Sequence, residues 1–584
     1  MTSNLDNRKA RIAASLGEIK ADLVLKNGSY LNIFTNTIEK ADIAIANGYV
    51  VGFGKYQGET ERDISGKVVV PGFIDGHVHL ESSIVTPLQY CKAVIPHGTT
   101  AVVADPHEIA NVCGTAGIDY IIEATKKLPL DVYVMMSSCV PASPFDETGY
   151  PITHEDVDNY MKHNRVLGLA EMMNYPGVIY RDNEVLSKIE TAMMYNKVID
   201  GHAPGLSGKE LNAYATAGVY SDHECTTANE AKEKISRGQW IMVREGTASK
   251  NLDALLEVCH EPYCNRVMFV TDDKHPGDLA REGHIDYIIR RAIKAGVEPK
   301  MAYRMASYNA AQYFRLLYKG AVAPGYMADL VILDDMEAVK INSVYKAGKL
   351  LINNDANYNP VDSNVKKADR NWHIHWDEYA LDNKALDSRI CDTVRIGEVS
   401  AEDFVINKEK EKVIGLVPGE IITLDKGEAT RVDVSKDILK LAVIERHHFT
   451  GHIGKCYVTG YGLKSGAVAT TIAHDSHNII VVGTNDQDMA LAVMRLKEIK
   501  GGMVVANDGQ IVADLPLPIA GLMCNQDVEE AQAGLDKVKA EARRLGVYDN
   551  IDPFMTLSFA SLAVIPSLRL TTLGVVDINK FELL

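Results

Sequence analysis

The chain has 584 residues, 46% of them apolar and 24% charged, which is enough for two or three well-formed cores and excludes a disordered protein. Its formal net charge of -17, unrelieved by any basic patch, disfavours nucleic acid and anionic membrane surfaces as partners and suits a small neutral or cationic substrate. The nine cysteines are odd in number and scattered, and even Cys259 and Cys264 lack the spacing of zinc ribbons or redox motifs, so reduced thiols are expected.

The N-terminal MTSNLDNRKARIAASLGEIK alternates charge and has no continuous apolar stretch, so it reads as neither signal peptide nor anchor. No later run nears the roughly 18 apolar residues of a membrane span, and a cytoplasmic protein is expected. From Ala21 to about Val70 come short strands, ADLVLKNGSYLNIF and ADIAIANGYVVGFG, with Asn27-Gly28 and Asn47-Gly48 as expected hairpin turns. The same texture returns between Ala328 and Leu351. A composite small β domain built from residues 1–70 and 320–365 is therefore predicted.

Between these segments, residues 71–319 alternate apolar β-rich runs with helix-like stretches such as SGKELNAYATAG and TTANEAKEKISRG. The β runs are KVVVPGFIDGHVH, TTAVVADPHE, DVYVMMSSC, VLGLAEMM, KVIDGHAPG, VYSDHE, WIMVREG and VMFVTDD, the number that closes a (β/α)₈ barrel. Strand interiors buried on both faces should be apolar, so the polar residues ending nearly every run belong at the C-terminal mouth, where such barrels carry their chemistry. After the charged, linker-like VKKADRNWHIHWDEYALDNK, residues 366–584 mix strands with the helical NDQDMALAVMRLKEIKGG and predict an α+β domain.

His77 and His79 stand two apart at the end of the first run, so both imidazoles point to one face. Glu171, His202, His223 and Asp272 end later runs. Imidazoles and carboxylates converging from five strand ends suit two divalent ions in a hydrolytic site. Asp272 is the candidate general base and later acid. Around them, Glu81 shares the His79 face and could meet substrate, a metal or a ligand histidine. His107 and Glu108 could bind substrate, relay protons, hold a further ion or cap a helix, and Arg244 and Glu245 could recognise substrate or form internal ion pairs. Glu224 and Asp273, each directly after a candidate ligand, are expected to face away from that neighbour, with a catalytic role as the alternative. Five of the 18 histidines fall in HHFTGHIG and IAHDSHN, as a lid, a separate metal site or plain surface loops.

The HxH after strand one, the histidines after strands five and six and the aspartate after strand eight resemble the amidohydrolase superfamily. The wording PGFIDGHVHLESS, ADPHEIANV, GLAEMM, DGHAPG, SDHE and VTDD resembles, over the whole chain, the bacterial adenine deaminase family within it. That resemblance implies a TIM-like metal-dependent hydrolase barrel with a composite β-sandwich domain and a C-terminal α+β domain. It implies His77, His79, Glu171, His202, His223 and Asp272 as ligands of two divalent ions, manganese or iron favoured and zinc possible, with Glu171 bridging and Asp272 and Glu171 catalytic. The implied reaction is deamination of adenine to hypoxanthine and ammonia by a metal-bound hydroxide, in purine salvage, and a homo-oligomer is expected. Ring-amide hydrolases of that superfamily commonly carry a carboxylated lysine where this chain has Glu171, which argues against a hydantoinase- or dihydroorotase-like activity. A non-catalytic metal-bound scaffold is the remaining alternative.

Overall fold

The computed structural model describes residues 4–247, 249–354, 372–374, 376–379, 388–418 and 420–584. Most of the linker-like stretch, and with it the expected boundary at 365/366, lies outside the described residues.

Two sheets form a sandwich from both ends of the predicted β texture. One runs Tyr49–Phe53, Ile43–Ala46, Ala21–Lys26, Gly58–Asp63. The other runs Lys349–Asn353, Lys340–Lys346, Leu330–Asp335, Val68–Pro71, Ser29–Asn32, Thr37–Lys40, so chain segments some 260 residues apart pair directly, as Val331 does with Val70. Leu25, Ile45, Val69, Leu330 and Tyr345 share the buried core of this sandwich. Asn47 and Gly48 form the expected hairpin, both with positive φ (47° and 79°), as a two-residue turn of that type requires. Asn27-Gly28 does not. It passes the chain from the Ala21–Lys26 strand in one sheet to Ser29–Asn32 in the other, because the alternating pattern around it serves two separate sheets.

The predicted first run also divides. Val68–Pro71 belongs to the sandwich, and the chain then turns at Gly72 into the first barrel strand, β1 (Phe73–Val78). A Cβ on Gly72 would lie 2.3 Å from the Thr100 hydroxyl, so only glycine lets the turn sit against the neighbouring strand. The other barrel strands are β2 (Thr99–Ala104), β3 (Asp131–Met136), β4 (Val166–Met172), β5 (Val198–Gly201), β6 (Ser221–Asp222), β7 (Trp240–Arg244) and β8 (Val267–Val270). Strands β1 to β5 pair in parallel in one sheet and β6 to β8 in another. Closure comes from a parallel bridge between Val78 and Asp272, and from the Gly201 amide donating to the Ser221 hydroxyl at 3.0 Å. Helices including His154–Met161, Asn183–Met194, Gly208–Thr216 and Ala228–Ser236 lie between successive strands. Ile74, Val103, Met135, Ala170, Met242 and Met268 fill the barrel interior, leaving the polar strand ends at the mouth.

The C-terminal segment folds around an eight-stranded sheet in the order Thr423–Ala429, Glu411–Leu416, Ile453–Thr459, Leu439–Ile444, Ile479–Gly483, Ala467–Thr470, Gly502–Asn507, Gln510–Pro516. Helices Asp486–Glu498 and Val528–Arg544 accompany it, so the α+β expectation holds. Loops of this segment lie over the barrel mouth. Asn478 donates to the Glu147 carbonyl at 2.8 Å, and His448 reaches the Thr148 carbonyl at 2.8 Å.

Candidate active site

Strand alternation puts His77 and His79 on one face, with rings 4.8 Å apart and nearly perpendicular. Both Nε2 atoms face carboxylates from other strands: His79 Nε2 lies 3.4 Å from Glu171 Oε1 and 3.2 Å from Asp272 Oδ1, and His77 Nε2 lies 3.8 Å from each. The second Glu171 oxygen, Oε2, faces the next two strand ends, 2.7 Å from His202 Nδ1 and 3.2 Å from His223 Nε2. All six residues therefore converge, with the Glu171 carboxylate between the two histidine pairs. Five are buried and His202 is partly exposed.

Burial alone would raise the pKa of Glu171; His223 and His202 outweigh it and hold the group well below the usual carboxylate range. Burial likewise opposes the charged form of His223, yet Glu171, Glu224 and Asp272 lift it to about 9. For Asp272 the cost of burial is overcome by His79 and the Arg244 guanidinium, leaving its pKa well below the usual range. Glu81 is different. Burial pushes it up to about 7, with its Oε1 accepting from the Ile109 amide at 3.0 Å and its Oε2 unpartnered.

The donor set fits divalent metal. His79 Nδ1 lies 2.9 Å from the Asp105 carbonyl, an acceptor that keeps the proton on Nδ1 and frees Nε2 as a lone-pair donor. His77 Nε2, His107 Nδ1 and an oxygen of Asp105 are buried without a hydrogen-bond partner, although each faces other ligand-type atoms. Groups such as His77, His79 and Asp272, or His77, Glu171 and His223, place their donor atoms within 4.8 Å of one another.

The remaining candidates divide. His107 joins the cluster, its Nδ1 3.4 Å from Glu171 Oε1 and 3.2 Å from Asp105 Oδ2. Glu108 turns toward the C-terminal segment, where His474 Nδ1 lies 2.7 Å from one carboxylate oxygen and His477 Nε2 contacts the other. Arg244 binds Glu224 through both terminal nitrogens and Asp272 Oδ2 at 2.8 Å. Glu245 does not reach the site; its carboxylate takes the Leu252 amide and pairs with Arg291.

Two expectations are corrected. Glu224 does not face away: its Oε1 lies 3.5 Å from His223 Nε2 and 3.6 Å from His202 Nδ1. Strand β6 ends at Asp222, so alternation no longer governs residues 223 and 224. Asp273 also stays at the mouth, accepting from the Ser82 hydroxyl, because Asp272 adopts a left-handed φ of 57° that redirects the chain. Asp105 went unnoticed in the sequence, although it stands two before His107 as His77 stands two before His79. Of the C-terminal histidines, His447, His474 and His477 are buried, so a plain surface-loop reading fails for them.

An eight-stranded parallel barrel with this cluster at its mouth defines a metal-dependent hydrolase of the amidohydrolase type. Residues 68–351 match the amidohydrolase family model, and residues 420–582 match the model of the adenine deaminase C-terminal domain. The chain is 46% identical over 583 residues to adenine deaminase 2 of Carboxydothermus hydrogenoformans, covering 98% of both chains. It is 44% identical to the adenine deaminase of Clostridium acetobutylicum, covering 98% of this chain and 99% of that one. With that of Geobacillus kaustophilus it shares 41% identity, over 100% of this chain and 99% of the relative. The chain belongs to the adenine deaminase family.

Proposed function

We propose that this protein hydrolyses adenine to hypoxanthine and ammonia. The observation that carries the reading is the Glu171 carboxylate, one oxygen toward His77 and His79 and the other toward His202 and His223. In this reading Glu171 joins two ligand sets, with Asp272 completing the first. Two divalent ions would be held there; imidazole and carboxylate suit manganese, iron and zinc alike, and the family resemblance favours manganese or iron. A bound divalent ion supplies Lewis-acid chemistry, lowering the pKa of a water to about 7.

The chain's own groups then move the protons. Asp272, kept ionised by Arg244 at 2.8 Å, takes a proton from the water as its oxygen adds to carbon 6. Asp272 passes that proton to the adjacent ring nitrogen, which neutralises the developing charge. Asp272 then takes the second proton from the new C6 hydroxyl and delivers it to the exocyclic nitrogen as the carbon–nitrogen bond breaks, leaving the C6 carbonyl of hypoxanthine and ammonia. Glu224 holds the other side of the Arg244 guanidinium and thereby fixes the direction from which Asp272 approaches.

The proposed division of the chain is a sandwich from 1–70 and 320–365, the barrel over 71–319 and the α+β domain over 366–584. No helix among the described residues is long and apolar enough to cross a membrane. A cytoplasmic homo-oligomer acting in purine salvage is the setting we propose.

Purified protein supplied with manganese or iron should release ammonia from adenine and leave hydantoin and dihydrouracil untouched. Turnover of either cyclic amide with adenine inert would overturn the assignment.

A further inference from the structure

A small cleft of about 30 Å³, which a purine base would have to widen on binding, lies beside the metal-type cluster, between the barrel mouth and the C-terminal segment. From the barrel it is lined by Glu81, Ile84, Glu108 and Asp273, and from the C-terminal segment by Ile472, His474, Leu522 and Met555, among others. Glu81 lies two residues past His79 and Asp273 one past Asp272, so the cleft adjoins the proposed ligands directly. Aliphatic side chains from both parts of the chain share this lining, the composition expected where a flat apolar ring is held and a few polar groups set its orientation.

The polar groups are not equivalent. Both Glu108 oxygens are occupied by His474 and His477. The Ala473 amide donates to His477 Nδ1 at 3.2 Å, so the His477 proton sits on Nε2, and that nitrogen donates to Glu108 instead of ligating an ion. The Glu108, His474 and His477 trio is thus a clamp tying the C-terminal segment to the barrel. Asp273 holds the Ser82 hydroxyl. Glu81 alone among these carboxylates keeps a buried oxygen, Oε2, with no partner. A buried acceptor left unsatisfied is costly, and a donor brought by a ligand would satisfy it.

We infer that this cleft is the base-recognition subsite, with Glu81 accepting the single ring N–H of a free 6-aminopurine while Ile84, Ile472, Leu522 and Met555 cover its faces. The inference rests on the proposed adenine hydrolysis and adds to it the recognition element and its division between barrel and C-terminal segment. It also sets specificity. A base alkylated or glycosylated at the imidazole nitrogen has lost the N–H that Glu81 would accept, so the site takes free base in preference to nucleoside.

The test compares adenine with 9-methyladenine in wild type and in Glu81→Gln, with Met555→Ala as a second variant and metal content and thermal melting as checks on folding. Wild type should favour adenine strongly, by about tenfold or more in kcat/KM, the loss expected when a buried acceptor is left without its donor. In E81Q that preference should shrink toward unity through a raised KM for adenine, with bound metal unchanged. M555A should raise KM for both bases while keeping the preference. If wild type turns over adenine but E81Q keeps the wild-type KM and preference, the subsite is overturned and the reaction assignment stands. If wild type leaves adenine untouched, both fall.

Discussion

Arg244 is, after His79, the group that holds the proton-transfer carboxylate in its charged form. Its guanidinium binds Glu224 through two nitrogens, Asp272 through one and Asn251 through Nε, all in buried surroundings. Arg244→Met would take the guanidinium from two buried carboxylates and leave them only their histidine neighbours. Breaking such an arrangement costs about 3–5 kcal/mol, so the urea midpoint should fall markedly and kcat should fall with it. A variant with the wild-type midpoint and kcat would show that Arg244 does not hold Asp272. At this scale the sequence was informative wherever a strand was still a strand. His77 lies in β1 and His79 continues its extended course, so alternation marked that pair, whereas Asp105 and His107 lie past β2, with His107 opening a helix, and only their two-residue spacing could have marked them. Glu224 and Asp273 could not be read from alternation, because each lies beyond the last paired residue, and the left-handed φ of Asp272 leaves no trace in a pattern of apolar and polar residues.

Among the elements, the eight barrel strands stood out because each is a short apolar run ending in groups that can bind metal or move protons. Where one run served two sheets, as Lys67 to His79 does, composition could not mark the division; only the close approach at Gly72 makes it. The helix Ile285–Lys294 gives a separate test of how elements are fastened. Its first turn carries Asp286, whose carboxylate takes the His284 amide at 2.8 Å, His97 Nδ1 at 3.0 Å and Arg290 Nη1 at 2.6 Å. Burial alone would raise this carboxyl; His97 and Arg290 outweigh it and bring it from 3.8 to about 2. A carboxyl lower in the folded state than in the unfolded one stabilises the fold above its unfolded pKa, and that stabilisation is lost as pH falls toward the folded value. The shift corresponds to about 2 kcal/mol, present above about pH 4 and lost between about pH 4 and 2. Unfolding free energy measured across that window should drop less steeply in Asp286→Asn than in wild type. Equal slopes would mean Asp286 is not stabilised in this way.

For the molecule as a whole, the decisive contacts join segments remote in sequence. Glu108 meets His477 across 369 residues, and Glu147 meets His452 at 2.8 Å and Thr572 across 425. Local periodicity carries no information about such pairs. The histidine-rich C-terminal segments could therefore be noticed in the sequence but not assigned, and the fold shows that some of them close the barrel mouth. Their clamp on Glu108 makes the C-terminal segment part of the proposed base-recognition site.

The central claim is that Glu171 joins two ligand sets for two ions that together make an adenine hydrolase. Titrating metal-stripped protein with manganese while following ammonia release from adenine tests it most directly. Activity should rise from near zero and level off at about two equivalents per chain, the loading that a two-metal hydrolytic site requires. Full activity at one equivalent, or activity indifferent to metal, would contradict it.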